Sequence, residues 1–193
     1  MNDYSEELNA WAEDLAQVHL PRWEELPQLS LYMDQVLLYT NNALSFLDVT
    51  QSKNKKDERL LTPAMINNYV KHHLVPKPVK KRYDRAHLAC ILSYVLLKPV
   101  LQLGDIQKLL VHLQALCGDD EKAAYNLLCA EVEASLLHAS ALVRGEGIAQ
   151  GVDAEAPATH RAVNMAAMSL ATKVVAQKIL LLQEAVDDET THD

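Results

Sequence analysis

The side chains in this 193-residue sequence that could do catalytic or metal chemistry are too scattered to work together. His72 and His73 are adjacent, so on a helix they point in different directions, and no third ligand shares a face with either. Cys90, Cys117 and Cys129 are odd in number and form no C-x-x-C pair, which argues against both a disulfide framework and a zinc ribbon. Since no nucleophile, base and orienting residue can be grouped, we expect no enzyme, no metal site and no cofactor.

A segment that begins at Thr62 has instead the residue types of a helix that reads DNA. Thr62-Pro63 is a strong helix start, because a hydroxyl cap is followed by a proline at the first helical position. Ile66, Tyr69 and Val70 form an apolar face, so small and amide side chains lie on the opposite face. Asparagine can pair with adenine, while lysine and arginine neutralise phosphates. The candidate DNA-binding residues are Thr62, Ala64, Met65, Asn67, Asn68, Lys71, Lys77, Lys80, Lys81, Arg82 and Tyr83.

Among these candidates, Asn67 and Asn68 are the expected base readers. Taken singly, each asparagine is equally compatible with an ordinary exposed polar residue. Lys71, Lys80 and Lys81, together with Arg82, are the expected phosphate contacts, and the amides at the helix start beside Thr62 could hold another phosphate.

Charge is segregated along the chain, and the candidates lie in its basic part. Residues 53–85 hold ten basic and three acidic residues, a net charge of +7. The rest of the chain holds eight basic and 23 acidic residues, a net charge of −15. This asymmetry indicates one anion-facing surface on an acidic protein. A solvated loop that only keeps the protein soluble would have the same composition.

The elements that must position these residues are predicted to be helices. Only five glycines occur, and no stretch alternates apolar and polar residues over the length of a strand. We therefore predict an all-α fold, with Ser30 and Asp84 as helix caps and with Pro99 ending a helix. The expected helices cover residues 4–19, 30–47, 63–75, 85–98, 105–116, 119–144 and 157–186.

Two regions are expected: residues 1–116, with N-terminal helices and the DNA-reading segment, and residues 117–193, with long helices for dimerisation or ligand binding. Residues 50–59 are polar and should form a loop, and residues 146–157 should form a linker. The start of the chain lacks the features of a signal peptide, and no apolar run approaches the roughly 20 residues of a membrane span. A cytoplasmic protein that does not enter a membrane is the expectation.

The DNA-reading segment "LTPAMINNYVKHHLVPKPVKKRYDRAHL" resembles the helix-turn-helix and wing of MerR-type regulators. The resemblance covers about residues 34–116, and it implies a winged helix-turn-helix that binds double-stranded DNA. More narrowly, "LPRWEELPQLSLYMDQVL" with "LTPAMINNYV" is similar to an uncharacterised bacterial family, domain of unknown function 1836, whose members are taken to be MerR-like. The MerR landmarks here are Thr62-Pro63, Ile66, Tyr69, Leu74, Pro76, Arg82-Tyr83 and Asp84.

The chain departs from the MerR pattern at three points. The wing is expected to be shortened, because residues 76–82 are few and include no glycine for a hairpin turn. The loop over residues 50–59 is longer than the usual turn between the two helices. Asn67 and Asn68 stand where the pattern has arginine and tyrosine.

From this resemblance and the charge pattern we expect a sequence-specific regulator of transcription that binds double-stranded DNA as a homodimer. The sequence identifies no effector ligand. The alternative is a helical interaction module whose basic patch meets an acidic protein partner, without DNA binding.

Overall fold

The computed structural model describes residues 4–49, 60–146 and 155–190. These residues form seven α-helices and two short 3₁₀ helices, with two isolated β-bridges and no longer strand among them. The predicted all-α class is confirmed. The α-helices are α1 Tyr4–Ala16, α2 Met33–Ala43, α3 Pro63–Lys71, α4 Arg85–Leu97, α5 Leu103–Leu116, α6 Glu121–Val143 and α7 Ala158–Thr190, and the 3₁₀ helices are Trp23–Glu25 and Ser45–Leu47.

Helix α4 lies at the centre of the molecule. Ten of its 13 residues are buried, so apolar side chains meet neighbours on nearly every side. Its start is the predicted one, because Oδ1 of Asp84 accepts a hydrogen bond from the His87 amide at 3.1 Å. Helices α2, α5, α6 and α7 all contact α4, and α1 packs along α6.

One hydrophobic cluster runs from Leu15 in α1 to Val174 in α7. It therefore crosses residue 116, where the sequence suggested a division into two regions. That division stays a prediction. The predicted polar loop over residues 50–59 lies outside the described residues, as does most of the linker predicted over residues 146–157.

Several helix ends differ from the predicted ones. Ser30 is not a cap, because α2 begins at Met33 and the Tyr32 amide donates to Gln35 Oε1 at 2.9 Å. The extended backbone before Tyr32 is held by pairing between Leu31 and Tyr83, a contact 52 residues apart that no local pattern reveals. Helix α1 ends at Ala16, three residues early, and α7 extends to Thr190.

Within residues 4–49, 60–146 and 155–190, two helices are long and apolar enough to cross a membrane by length and composition alone, which corrects the expectation that no such run exists. They are residues Glu121–Val143 and Ala158–Ala185, with mean hydropathy 1.2 and 1.5. Helices in the core of a soluble protein pass the same test, and these two pack against each other and against α1.

A half-buried ion pair between Arg22 and Glu133 joins the segment that follows α1 to helix α6. Glu133 accepts hydrogen bonds from Arg22 Nη1 at 2.8 Å and Nη2 at 2.5 Å, and from the Leu20 amide at 2.6 Å. Burial alone would raise the pKa of the Glu133 carboxyl, but the bonds from Arg22 and Leu20 outweigh it, so this pKa is lowered. The ionised carboxylate is therefore stabilised by folding.

Glu133→Gln should lower the free energy of unfolding at pH 7 by about 2 kcal/mol, since charge-assisted bonds are lost while Arg22 stays partly buried. Because the folded pKa is depressed, the difference should be full above about pH 4.3 and shrink as the pH falls below it. Urea unfolding at several pH values measures the difference in stability between wild type and variant. Glu13→Gln, at an exposed position of α1, is the control. Equal effects of the two variants would contradict the assignment.

Candidate nucleic-acid interface

Helix α3 begins at the residue that the sequence predicts. Thr62 is the N-cap, its Oγ1 accepts from the Met65 amide at 3.4 Å, and Pro63 occupies the first turn. Ile66 and Tyr69 are buried, so the opposite side of the helix faces outward. The predicted contact residues on that outer side are exposed, namely Ala64, Asn67, Asn68 and Lys71, while Met65 and Thr62 are half-buried.

The end of α3 is earlier than predicted. The helix stops at Lys71, and His73 adopts a left-handed backbone with φ of 57°. The Leu74 amide donates to the Tyr69 carbonyl at 2.9 Å and the His73 amide donates to the Val70 carbonyl at 3.2 Å. These two bonds form a Schellman motif, which turns the chain before the prolines are reached.

After Pro78 the chain forms a tight hairpin turn, although the sequence lacks the expected glycine. The Arg82 amide donates to the Val79 carbonyl at 2.9 Å, and Val79 and Arg82 form an antiparallel bridge. Between them Lys80 and Lys81 have φ of 50° and 63°. Positive φ at both central positions defines a type I′ turn, for which Asn-Gly is the preferred sequence. Two exposed lysines therefore form the tip.

Arg82, the residue after the tip, is braced by α2's N-cap. Its guanidinium carbon lies 4.5 Å from the centroid of the Tyr32 ring, and its Nη2 donates to Tyr32 Oη at 2.7 Å. Both side chains are exposed at this surface. The brace limits the conformations of a long side chain before any partner binds.

Tyr83 was predicted to contact DNA, but the residue is buried and only 3% exposed. The ring packs edge-on against His87, with centroids 5.7 Å apart. Its backbone exchanges two hydrogen bonds with Leu31, at 2.8 and 2.9 Å. Tyr83 therefore anchors the hairpin in the core and cannot present its ring to a partner.

The lysine side chains of α3 and of segment 77–82 are positioned to bind an anion. Lys71, Lys77, Lys80 and Lys81 are exposed, and in the described part of the chain no carboxylate lies within ion-pairing distance of them. The nearby Asp84 is engaged elsewhere, since its carboxylate lies 2.6 Å from His87 Nδ1 and caps α4. Burial would raise the pKa of Asp84, but the hydrogen bonds from His87 lower it overall.

The fold brings one basic residue to α3 that the sequence did not single out. Lys98, the C-cap of α4, is exposed and places its Nζ 4.0 Å from Met65 Sδ. It lies 33 residues from Met65 along the chain, so only packing of α4 against α3 reveals it. We term a set of exposed residues from α3 and from segment 77–82, together with Lys98, the basic surface. Its members are Ala64, Asn67, Asn68, Lys71, Lys77, Lys80, Lys81, Arg82 and Lys98.

A cleft of about 400 Å³ lies behind the basic surface, between the end of α3 and helix α5. His73, Cys90 and Glu121 are among its lining residues. Burial raises the pKa of the Cys90 thiol to about 12, and the thiol donates to the Leu74 carbonyl at 3.2 Å. A protonated, hydrogen-bonded thiol is a poor nucleophile. Among the described residues no three His, Cys, Asp or Glu side chains form a group that could hold a metal ion.

The chain matches a known family model over more than half of its length. The model described as Domain of unknown function (DUF1836) matches residues 21–128, which include α2 to α5 and the whole basic surface. No curated protein and no solved structure matches the chain.

His72 and His73 differ in backbone conformation, and substituting each by glycine tests this difference. His73→Gly should raise the free energy of unfolding by about 1 kcal/mol, because a left-handed backbone strains a residue with a Cβ. His72 has φ of −92°, so His72→Gly should instead lower it by about 0.5–1 kcal/mol. Urea unfolding of both variants measures the difference, and a loss of stability in both would argue against the left-handed cap.

Proposed function

We propose that this chain, which belongs to the DUF1836 family, binds double-stranded DNA through the basic surface and regulates transcription. Helix α3 enters the major groove, where Asn67 and Asn68 read base edges. Lys71, Lys80 and Lys81 neutralise phosphates beside it. The single observation that carries the proposal is the hairpin tip made of two exposed lysines without a carboxylate partner among the described residues.

The lysine tip supports function because its residues are unfavourable for the turn itself. A residue with a Cβ costs roughly 1–2 kcal/mol in the left-handed region, and the turn contains two of them. Asparagine and glycine would form the same turn with less strain. Strain at an exposed position indicates that the side chains serve another purpose, and adjacent cations suit a polyanion.

We further propose that α2, α3 and the hairpin form a MerR-like winged helix-turn-helix in which the hairpin is the shortened wing. The order of these elements and the landmark residues support this arrangement. The brace between Arg82 and Tyr32 orients the base of the wing. The protein acts in the cytoplasm and as a homodimer, since two symmetric copies would recognise a palindromic site.

The double variant Lys80→Asn/Lys81→Gly should raise stability and weaken DNA binding together. Relief of strain should raise Tm by about 2–4 °C for each kcal/mol gained. Loss of two phosphate contacts should reduce affinity about 10- to 100-fold at 0.1 M salt and flatten the slope of log K against log[salt] by about 1.8. Differential scanning fluorimetry and fluorescence anisotropy with a labelled duplex measure the two effects.

A control with the same change in net charge is Lys108→Asn/Lys122→Asn. Both lysines already pair with carboxylates, Lys108 with Asp105 at 3.3 Å and Lys122 with Glu24, and they belong to α5 and α6 rather than to the basic surface. The control should bind duplexes like the wild type. Equal loss of affinity in both double variants would reduce the effect to net charge and contradict a specific surface.

Asn67→Ala and Asn68→Ala should change sequence preference rather than general affinity. Loss of an amide contact to a base should cost about 1–3 kcal/mol on a preferred duplex and nothing on a random one. Selection from random duplexes supplies the preferred sequence, and the ratio of the two affinities is the readout. If preferred and random duplexes lose affinity alike, the asparagines do not read bases.

A second candidate function is binding of an acidic protein partner. The observation that favours it is apolar exposure next to the basic hairpin, at Leu29, Tyr32 and Val79. Exposed apolar groups beside cations suit a protein surface better than a row of phosphates. Purification from the native source would separate the two functions, because DNA and a stoichiometric protein absorb ultraviolet light differently.

A further inference from the structure

A cleft of about 310 Å³ opens between the end of helix α4 and helix α7, and we term it the α4–α7 cleft. Its floor is apolar and buried, because it is formed by Val95 of α4 and by Leu170 and Val174 of α7. Leu47 and Leu60 add two further apolar side chains to the lining. Small-molecule sites are concave, mostly apolar and about 300–1,000 Å³ in volume. The α4–α7 cleft therefore has the size and the walls of such a site.

Two lysines form the rim of the α4–α7 cleft. Lys98, the C-cap of α4, and Lys173 of α7 both line it, and both are exposed. Lys173 lies on the same side of α7 as Leu170 and Gln177, since residues three or four apart share a helix face. The lining that the structure describes includes no carboxylate. The cleft consequently combines an apolar floor with a positively charged rim.

Both ammonium groups have hydrogen-bond donors to spare. Lys173 Nζ donates to the Pro99 carbonyl at 3.0 Å, which uses one of its three N–H groups. Lys98 Nζ lies 4.0 Å from Met65 Sδ, a weak acceptor. Among the described residues no carboxylate pairs with either lysine. Because Pro99 directly follows Lys98, the bond to its carbonyl brings the Lys173 side chain to the end of α4 that carries Lys98.

We propose that the α4–α7 cleft binds a small organic carboxylate with an apolar body, of the class of a medium-chain fatty acid. The apolar body lies on the buried floor, and the carboxylate accepts charge-assisted hydrogen bonds from Lys98 and Lys173. The Gln177 amide at the rim is a further donor. A neutral ligand would fill the same floor without the charge-assisted bonds. Inorganic phosphate would gain those bonds but leave the apolar floor uncovered.

The acidity of the whole protein makes the preference for an anion informative. A net charge of −8 repels small anions from most of the surface. Tighter binding of an anion than of its neutral analogue therefore requires local cations, which the two lysines supply. The site goes beyond the proposed function and needs no DNA. Lys98 also belongs to the basic surface, so a carboxylate bound to it would compete with a DNA phosphate, a consequence that rests on the proposed function.

An NMR titration of the isotope-labelled full chain, without DNA, tests the site with octanoate as the probe. Octanoate should shift the amide signals of Leu170 and Val174 and saturate them with a Kd below about 1 mM, because about ten non-hydrogen atoms can supply that affinity. Octanol has the same apolar chain without the charge, and acetate has the charge without the chain. Each should bind at least about 10-fold more weakly than octanoate.

Two variants and a matched control separate the rim charges from general effects. Lys98→Gln/Lys173→Gln should raise the Kd for octanoate at least about 10-fold and leave octanol binding unchanged, since only charge-assisted bonds are lost. Gln177→Glu should weaken octanoate binding about 5-fold, because it places a like charge at the rim. Gln183→Glu makes the same change at an exposed position of α7 outside the lining and should bind octanoate like the wild type.

The spectra of all variants must keep the signal dispersion of the wild type. Octanol that binds as tightly as octanoate overturns the proposal, as does octanoate binding that survives the lysine double variant unchanged. Equal weakening by Gln177→Glu and Gln183→Glu overturns it too, and so does the absence of saturable shifts at the cleft up to about 5 mM octanoate. Failure of DNA binding by a chain that binds octanoate would count against the proposed function alone.

Discussion

The pairing of Leu31 with Tyr83 holds the basic surface in place. Two backbone hydrogen bonds join the segment before α2 to the end of the hairpin, and the Tyr83 side chain is buried beside His87. The next residue, Asp84, caps the central helix α4. One short stretch thus ties the exposed lysines to α2 on one side and to the core on the other, so their positions are set before any partner arrives.

This fixed placement gives the charge segregation a physical meaning. Residues 53–85 carry +7 and the rest of the chain carries −15, so a polyanion is attracted in one orientation and repelled in the others. The described members of that basic window are Lys71 of α3, the four basic residues of segment 77–82, and Arg85 at the start of α4, which donates to the Leu26 carbonyl. Lys53, Lys55, Lys56 and Arg59 lie outside the described residues. Strain at Lys80 and Lys81 is tolerated because the ends of the hairpin are held by the bridge and by the core.

Local chemistry predicted much of the fold, and long-range contacts account for what it missed. The caps Thr62 and Asp84 were readable because a hydroxyl or carboxylate preceding an apolar period is a local signal. Ser30 failed as a cap because the Leu31 bridge keeps the chain extended. The end of α3 at His73 and the turn at Lys80 and Lys81 depend on residues with a left-handed backbone. None of them is a glycine, so no local signal marks these turns. The basic residues next to Tyr83 in the sequence indicated a contact residue. The ring is instead buried against His87, so its role is to anchor the hairpin.

The most direct test of DNA binding is the salt dependence of wild-type affinity for a random-sequence duplex, measured between 50 and 200 mM NaCl. Five basic residues, Lys71 of α3 and the four of segment 77–82, each neutralising a phosphate, predict a slope of log K against log[salt] near −4.5 per protomer. Lys98 would steepen it by about 0.9 if it contacts a phosphate. A duplex that fails to bind at 50 mM NaCl, or a slope shallower than about −1, would contradict the account.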